Sequence, residues 1–294
     1  MATPVFTNRA IHYRPDIDGL RDLAVLSVLL FHINDQWLPG GYLGVDLFFV
    51  ISGYLITSII RRQLEEDRFL FREFYARRIR RILPLFFTVI FVVSIASFIL
   101  LVPDDYKKYW RTVRYAIQFV ANQAFINQGY FDVASEEKPL LHLWSLAIEE
   151  QFYFFWPLIL FLSFKLLKKL KFSLNLLFWL AIIGIVISTL IANHSIQNNP
   201  DASYFLLRNR AAELLVGCAL ALNPYSIPKS FKGYLGGVGL LIILVCFIFY
   251  SRETPYPGTY ALIPTIAGLL FILDAEVDRP YKKVFTNRWV RQIG

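Results

Sequence analysis

Charge and cysteine are what this 294-residue sequence has little of. Asp, Glu, Lys and Arg together make up only 18% of it, and they fall in blocks between long apolar runs. A disordered chain, a coiled coil and a disulfide-stapled secreted domain are excluded by that composition. The two cysteines, Cys218 and Cys246, lie in separate apolar runs, so neither a redox pair nor a thiolate metal site can be read from their spacing. No Gly/Ser- or Pro-rich linker divides the chain, and no repeat of fixed period runs through it. It has no Gly-rich phosphate loop, no zinc-ligand spacing and no Gly-x-Ser-x-Gly nucleophile turn. Arg9, His12, Arg14, Asp16 and Asp18 precede the first apolar run, and no small-residue cleavage site follows it. Both facts argue against a removable signal peptide.

What is present is hydrocarbon. Hydrophobic residues are 56% of the chain and the mean hydropathy is +0.48, which points to lipid as the solvent. Runs long enough to cross a bilayer fall at about 20–37, 42–60, 82–102, 143–164, 173–192, 206–222, 235–250 and 259–273. The fold class expected is an all-α polytopic membrane protein, with about eight transmembrane helices in one bundle formed by a single domain, 1–294. Between the third and fourth runs, Asp104 to Lys138 mixes aromatic and polar residues and reads as an interfacial or loop-packed helix. The excess of 30 Lys+Arg over 22 Asp+Glu reflects topology. With the N-terminus cytoplasmic, 21 basic residues fall inside and six outside, the bias that orients membrane proteins. The charge therefore gives no case for a nucleic-acid partner.

Ionisable side chains inside spanning runs are costly and mark functional sites by default. His32 lies at the outer end of the first run. Arg21, eleven residues earlier, returns to within about 20° of the same helix face, roughly 16 Å away. A short turn with Pro39, Gly40 and Gly41 makes the first two runs antiparallel neighbours. Asp46 and His32 are each seven residues from Pro39, so a carboxylate orienting an imidazole general base is expected there. Glu149 and Glu150, expected at the depth of His32, are 100° apart on a helix, so one faces the cavity and the other pairs elsewhere or stays protonated. Arg78 and Arg81 share a helix face at the cytoplasmic side and suit a phosphorylated ligand. Each has a plainer reading: a packed histidine, a snorkelling Arg21, a structural ion pair at Asp46, a helix–helix hydrogen bond at the glutamates, anionic lipid headgroups at Arg78 and Arg81. Arg210 and Glu213 read as a structural pair.

Several stretches, in order, resemble one known family. They are Tyr13-Arg14-Pro15-Asp16-Ile17-Asp18-Gly19-Leu20-Arg21 with ten residues to His32, then Gly44-Val45-Asp46-Leu47-Phe48-Phe49-Val50-Ile51-Ser52-Gly53-Tyr54, Phe74 to Pro84, His142 to Pro157, and Arg210-Ala-Ala-Glu213-Leu-Leu-Val-Gly217. Together they resemble the acyltransferase type 3 family of bacterial membrane O-acyltransferases. The resemblance implies a multi-pass protein of the bacterial inner membrane that transfers an acyl group, usually acetyl from acetyl-CoA, to a hydroxyl of an envelope glycan or lipid-linked saccharide. It implies an essential His32, with Asp46, Glu149 or Glu150 as further functional positions, and Arg21, Arg78 and Arg81 on the donor side, with no metal. It also implies that the chain lacks the last transmembrane helices of such a domain and carries no esterase-like outer domain, so an inactive truncated enzyme is one alternative. The rival from another class is a proton-coupled exporter or flippase of a glycan or lipid, which an intramembrane His/Asp/Glu set would also serve.

The charge bias carries its own test. In a background lacking Cys218 and Cys246, single cysteines placed between residues 104 and 138 or 251 and 258 should react with an impermeant thiol reagent from outside the cell. Those placed between 61 and 81 or 165 and 171 should not, and outside labelling of the arginine-rich segment would reverse the orientation.

Overall fold

A computed structural model describes residues 14–126, 130–131, 138–274, 279–283 and 285. Among the described residues there is no strand. The helices are α1 (Pro15–Ile33), α2 (Gly44–Glu65), α3 (Phe71–Leu100), α4 (Pro103–Ile117), α5 (Leu143–Lys169), α6 (Leu176–Asn198), α7 (Pro200–Phe205), α8 (Leu207–Leu222), α9 (Lys229–Phe249) and α10 (Gly258–Leu273). Five of them, α2, α3, α5, α6 and α9, are long and apolar enough to span a membrane. The three other runs expected to span are also helical, as α1, α8 and α10. Acidic residues in α1 and the 16-residue length of α8 and α10 keep these below that standard. At 1.5 Å per residue, 16 residues reach about 24 Å against a hydrocarbon core of about 30 Å.

Local chemistry sets the helix ends. Pro15 opens α1 with Asp16 and Asp18 in its first turn, where a missing N–H costs nothing and acids complement the helix dipole. The helix stops at Ile33, short of the expected residue 37, because the Asn34 side chain accepts the Gln36 N–H at 2.9 Å and turns the chain. The largest departure is α3. The arginine-rich segment expected as an inner loop to residue 81 is helical from Phe71 and continues through Pro84 into the spanning part. Arg, Ile, Leu and Ala are strong or acceptable helix formers, and Pro84 removes only one hydrogen bond.

Helix α2 is the buried axis, with α1, α5, α8 and α10 around it. Its closest partner is α8. A methyl group on Gly53 would run into the Leu214 carbonyl, and one on Gly217 would run into the Val50 carbonyl and, at 2.6 Å, the Tyr54 nitrogen. This is the small-residue contact by which membrane helices approach each other. Ion pairs close the array at the other end of α1. Lys282, fully buried, donates to Asp16 at 2.8 Å, and Arg14 reaches the Ile272 carbonyl at 2.9 Å. Burial pulls the Lys282 ammonium below its usual range, while Asp16 opposes the shift. Helix α3 packs less closely: it meets α4, makes contact with α5 through Tyr75 and Arg78, and joins the start of α5 in one core cluster through Phe86 and Ile90, while Phe98, Ile99 and Leu100 at its end are exposed.

Substituting Gly53 with Ala should lower the thermal midpoint in detergent, with a cost of about 1–3 kcal/mol for overpacking. Gly268→Ala should cost less, because the added methyl meets only the Leu47 and Val50 side-chain ends, at 3.0 and 3.1 Å. Differential scanning fluorimetry of the two variants checks the order.

Candidate active site

Two polar stations lie along the bundle. The first is a cavity of about 280 Å³ where the ends of α1 and α5 meet the segment before α10. It is lined by Phe31, His32, Tyr130, Phe131, Lys138, Leu141, His142 and Arg252. His32 sits in the last turn of α1, where its Nδ1 lies 2.8 Å from the Val28 carbonyl. A carbonyl only accepts, so Nδ1 carries the hydrogen and Nε2 keeps its lone pair in the neutral ring. His142 lines the same cavity from the start of α5. Partial burial and the nearby His32 hold its imidazole below the usual histidine range. Burial pushes the Tyr130 phenol up to about 12, which keeps this wall uncharged. Arg252 is anchored by Asp35 at 2.8 Å and donates to the Phe131 carbonyl at 3.3 Å.

The expected Asp46–His32 pair is not formed. Gly44 packs on Ala24 and Ser27 of α1, and Asp46, two residues on, is turned 200° away from that face. It points instead at α8, where its carboxylate accepts from Arg210 at 2.7 Å and from the Tyr256 hydroxyl. Equal distance from the turn fixed the depth of both residues but not their direction around the helices. The group that orients His32 is the Val28 carbonyl of its own helix.

The second station is deeper. Glu149 and Glu150 lie seven and eight residues beyond His142, about 10–12 Å along α5, so they do not share the depth expected for them with His32. Glu149 accepts the Tyr153 hydroxyl at 2.9 Å. Arg78 lies over the Tyr153 ring at 4.8 Å and over Phe74 at 5.9 Å, within electrostatic reach of both glutamates. Arg21, bound to Asp18 at 3.4 Å, adds its field to Glu149 from α1. The expected pairing of Arg78 with Arg81 separates: Arg78 turns in against α5, and Arg81 is exposed. Glu149 is the paired one of the two, while one carboxylate oxygen of Glu150 is buried without a hydrogen-bond partner among the described residues.

Between the stations lies a buried core. Arg210 is completely buried, with Glu213 3.3 Å from its Nη1 and the rings of Phe49, Trp144, Tyr204 and Tyr256 at 5.1–5.6 Å from its guanidinium carbon. The sequence marked Arg210 and Glu213 as a pair but missed Asp46 and Tyr256 as their company, because nothing local ties residue 46 to 210 or 256. His142 was legible in principle, as an imidazole opening a spanning run at the same end of the bundle as His32. Among the described residues no group of three His, Cys, Asp or Glu side chains gathers as metal ligands would.

The profile of a family described as an acyltransferase domain matches residues 14–290. The chain is 37% identical to the peptidoglycan O-acetyltransferase OatA of Listeria monocytogenes, over 96% of the chain and 47% of that protein. It is 36% identical to the putative peptidoglycan O-acetyltransferase YrhL of Bacillus subtilis, over 96% and 46%, and 35% identical to a putative O-acetyltransferase of Staphylococcus aureus, over 97% and 49%. It thus spans about half the length of the curated relatives it matches. No solved structure gives a significant match. From the profile match and these identities, the chain belongs to the acyltransferase type 3 family, and its apolar helices make it a multi-pass membrane protein.

Proposed function

We propose that this chain forms the membrane part of an O-acetyltransferase that moves an acetyl group from acetyl-CoA to a hydroxyl of an envelope glycan. The names of its relatives favour peptidoglycan as the acceptor. The observation that carries the reading is the tautomer of His32: with Nδ1 fixed by Val28, its free Nε2 is available in a cavity large enough for a sugar ring. The acceptor hydroxyl gives its proton to Nε2 as its oxygen attacks the thioester carbonyl. The carbon–sulfur bond then breaks, and the departing CoA thiolate takes the proton back from the imidazolium. Such general-base assistance is worth about 10²–10⁴-fold in rate.

In this reading the deeper station serves the donor. Arg78 and Arg21 supply positive charge within the bundle, and Arg81 supplies it at the surface beside Arg78. Together they suit a polyanionic donor entering from the cytoplasmic side of an N-terminus-inside topology. Glu149 and Glu150 lie within electrostatic reach of Arg78, and Arg21 acts in the same way on Glu149. Asp46 acts on the site at a distance, through Arg210 and Tyr256, by fixing the segment that carries Arg252. The exporter alternative needs no donor site at this depth.

Expressed in a strain lacking peptidoglycan O-acetylation, the chain should raise base-labile acetate in the wall, and His32→Ala should remove that gain while CoA binding is kept. Arg78→Ala should weaken CoA binding to the purified protein by about tenfold or more, the effect of one lost charge-assisted contact. Wild-type acetylation by the His32 variant would end the catalytic assignment.

The two imidazoles have a readout that needs no activity. Removing His32 takes away one of the two causes that hold His142 down. In His32→Ala the His142 ring, followed by nitrogen NMR of labelled histidine, should therefore titrate at a higher pH than in the parent. An unchanged midpoint would mean that the rings do not share the cavity.

A further inference from the structure

At the His32 end of the bundle, α3 finishes in lipid-facing residues, with Phe98 71% and Leu100 79% exposed. The chain then turns at Pro103 into α4, which has two opposite faces. Tyr109, Val113 and Ala116 are buried against α3, where the Tyr109 hydroxyl meets Ser94 at 2.7 Å. On the opposite face Lys107, Lys108, Arg111 and Arg114 follow one another at helical spacing. They are four of the six basic residues that the sequence places at this end, so the basic charge here is concentrated on one helix. Lys107 and Lys108 have acidic neighbours, Asp104 at 3.0 Å and Asp105 at 2.8 Å. Arg111 and Arg114 are exposed, one turn apart, and no ion pair holds either among the described residues.

The flanks of α4 fix the depth of that row. Trp110 and Ile117 border the apolar face and remain 43% and 48% exposed. Half-wet tryptophan and bare isoleucine next to a lipid-facing helix end place α4 in the membrane interface, with its cations at headgroup level. The far end of α4 is tied rigidly to the bundle. Gln151 of α5 donates to the Phe119 carbonyl at 2.9 Å and to Asn122 at 2.8 Å, and Asn122 donates to the Phe205 carbonyl at 2.9 Å.

We propose that Arg111 and Arg114 of α4 form a docking site for the phosphate of an anionic phospholipid headgroup. A planar guanidinium pairs with phosphate oxygens through two parallel hydrogen bonds, and two forks one turn apart can share one phosphodiester. A soluble phosphate or a polyanionic polymer offers the same oxygens. Only a lipid also satisfies the apolar flank of Trp110 and Ile117, which is what selects it. The proposal is independent of the reaction assigned to the cavity.

The test uses the full chain in phosphatidylcholine vesicles with increasing fractions of brominated phosphatidylglycerol, with Trp110 as reporter, isolated by difference from Trp110→Phe. Half-quenching should need a fraction roughly tenfold higher in Arg111→Gln/Arg114→Gln, given the usual attraction of a basic side chain to an anionic surface. Arg111→Lys/Arg114→Lys, which keeps the charge but loses the paired hydrogen bonds, should fall between the parent and the Gln variant, about threefold above the parent. Both arginines are exposed, so the parent's thermal midpoint in pure phosphatidylcholine should be unchanged in either variant. An unshifted half-quenching fraction in the Gln variant would overturn the site. So would release of the brominated lipid by inorganic phosphate, which would make this a free-anion site, or by soluble polyphosphate, which would assign the row to a polymer.

Discussion

The ion pair between Arg210 and Asp46 holds four parts of the molecule in one place. It joins the first turn of α2 to the first turn of α8, and through Tyr256 it takes in the segment before α10. Trp144 brings in the start of α5 as part of the aromatic cage. A charged pair at zero exposure is stable only when every neighbour is in position, and removing one member of such a pair costs about 3–5 kcal/mol. The cage compensates in part for the lost water, since a guanidinium is attracted to ring faces. The cavity walls depend on this arrangement: Tyr130 stacks on Tyr204 at 4.2 Å, and Arg252 is four residues from Tyr256. The centre of the bundle is thus held by charge, while its periphery is held by small-residue contacts and lipid-facing hydrocarbon.

Much of this was legible in the sequence because bilayers impose simple rules. Apolar length gave helices at all eight runs, and the polar interruptions at His32, Asp46, Glu149, Glu150 and Arg210 mark the residues around which the interior is organised. Direction was not legible. A hydropathy pattern fixes how deep a residue lies, but not which neighbour it faces when neighbours on three sides are equally apolar. Asp46 was given to His32 on depth alone, whereas Gly44, two positions earlier, decides the matter by occupying the contact with α1. Helix α3 begins before its apolar run for a related reason: charge density marks where lipid ends, and a helix continues past that point whenever its residues allow.

The two stations explain why ionisable groups recur along α1 and α5. Arg21 and His32 lie on one face of α1, and Glu149 and His142 lie on one stretch of α5, so each helix contributes a polar group at both depths. Under the proposed function these polar groups would give donor and acceptor a hydrated route toward each other across the bundle. The buried Arg210 core lies between the stations, close to both without being part of either.

The clamp of Asp16, Arg14 and Lys282 has a mechanical consequence. It ties the beginning of the first helix to the segment just after the last one, so the array of helices closes on itself. Tension applied between residues 14 and 282 would load one set of short-range ion pairs in shear and leave the helices between them unstressed. Hydrogen-bonded ion pairs of this kind are stiff over a few tenths of an ångström and then fail abruptly. Pulling on this protein from those two points would therefore give a single early rupture, after which the helices leave the membrane one after another, beginning from whichever end has been freed.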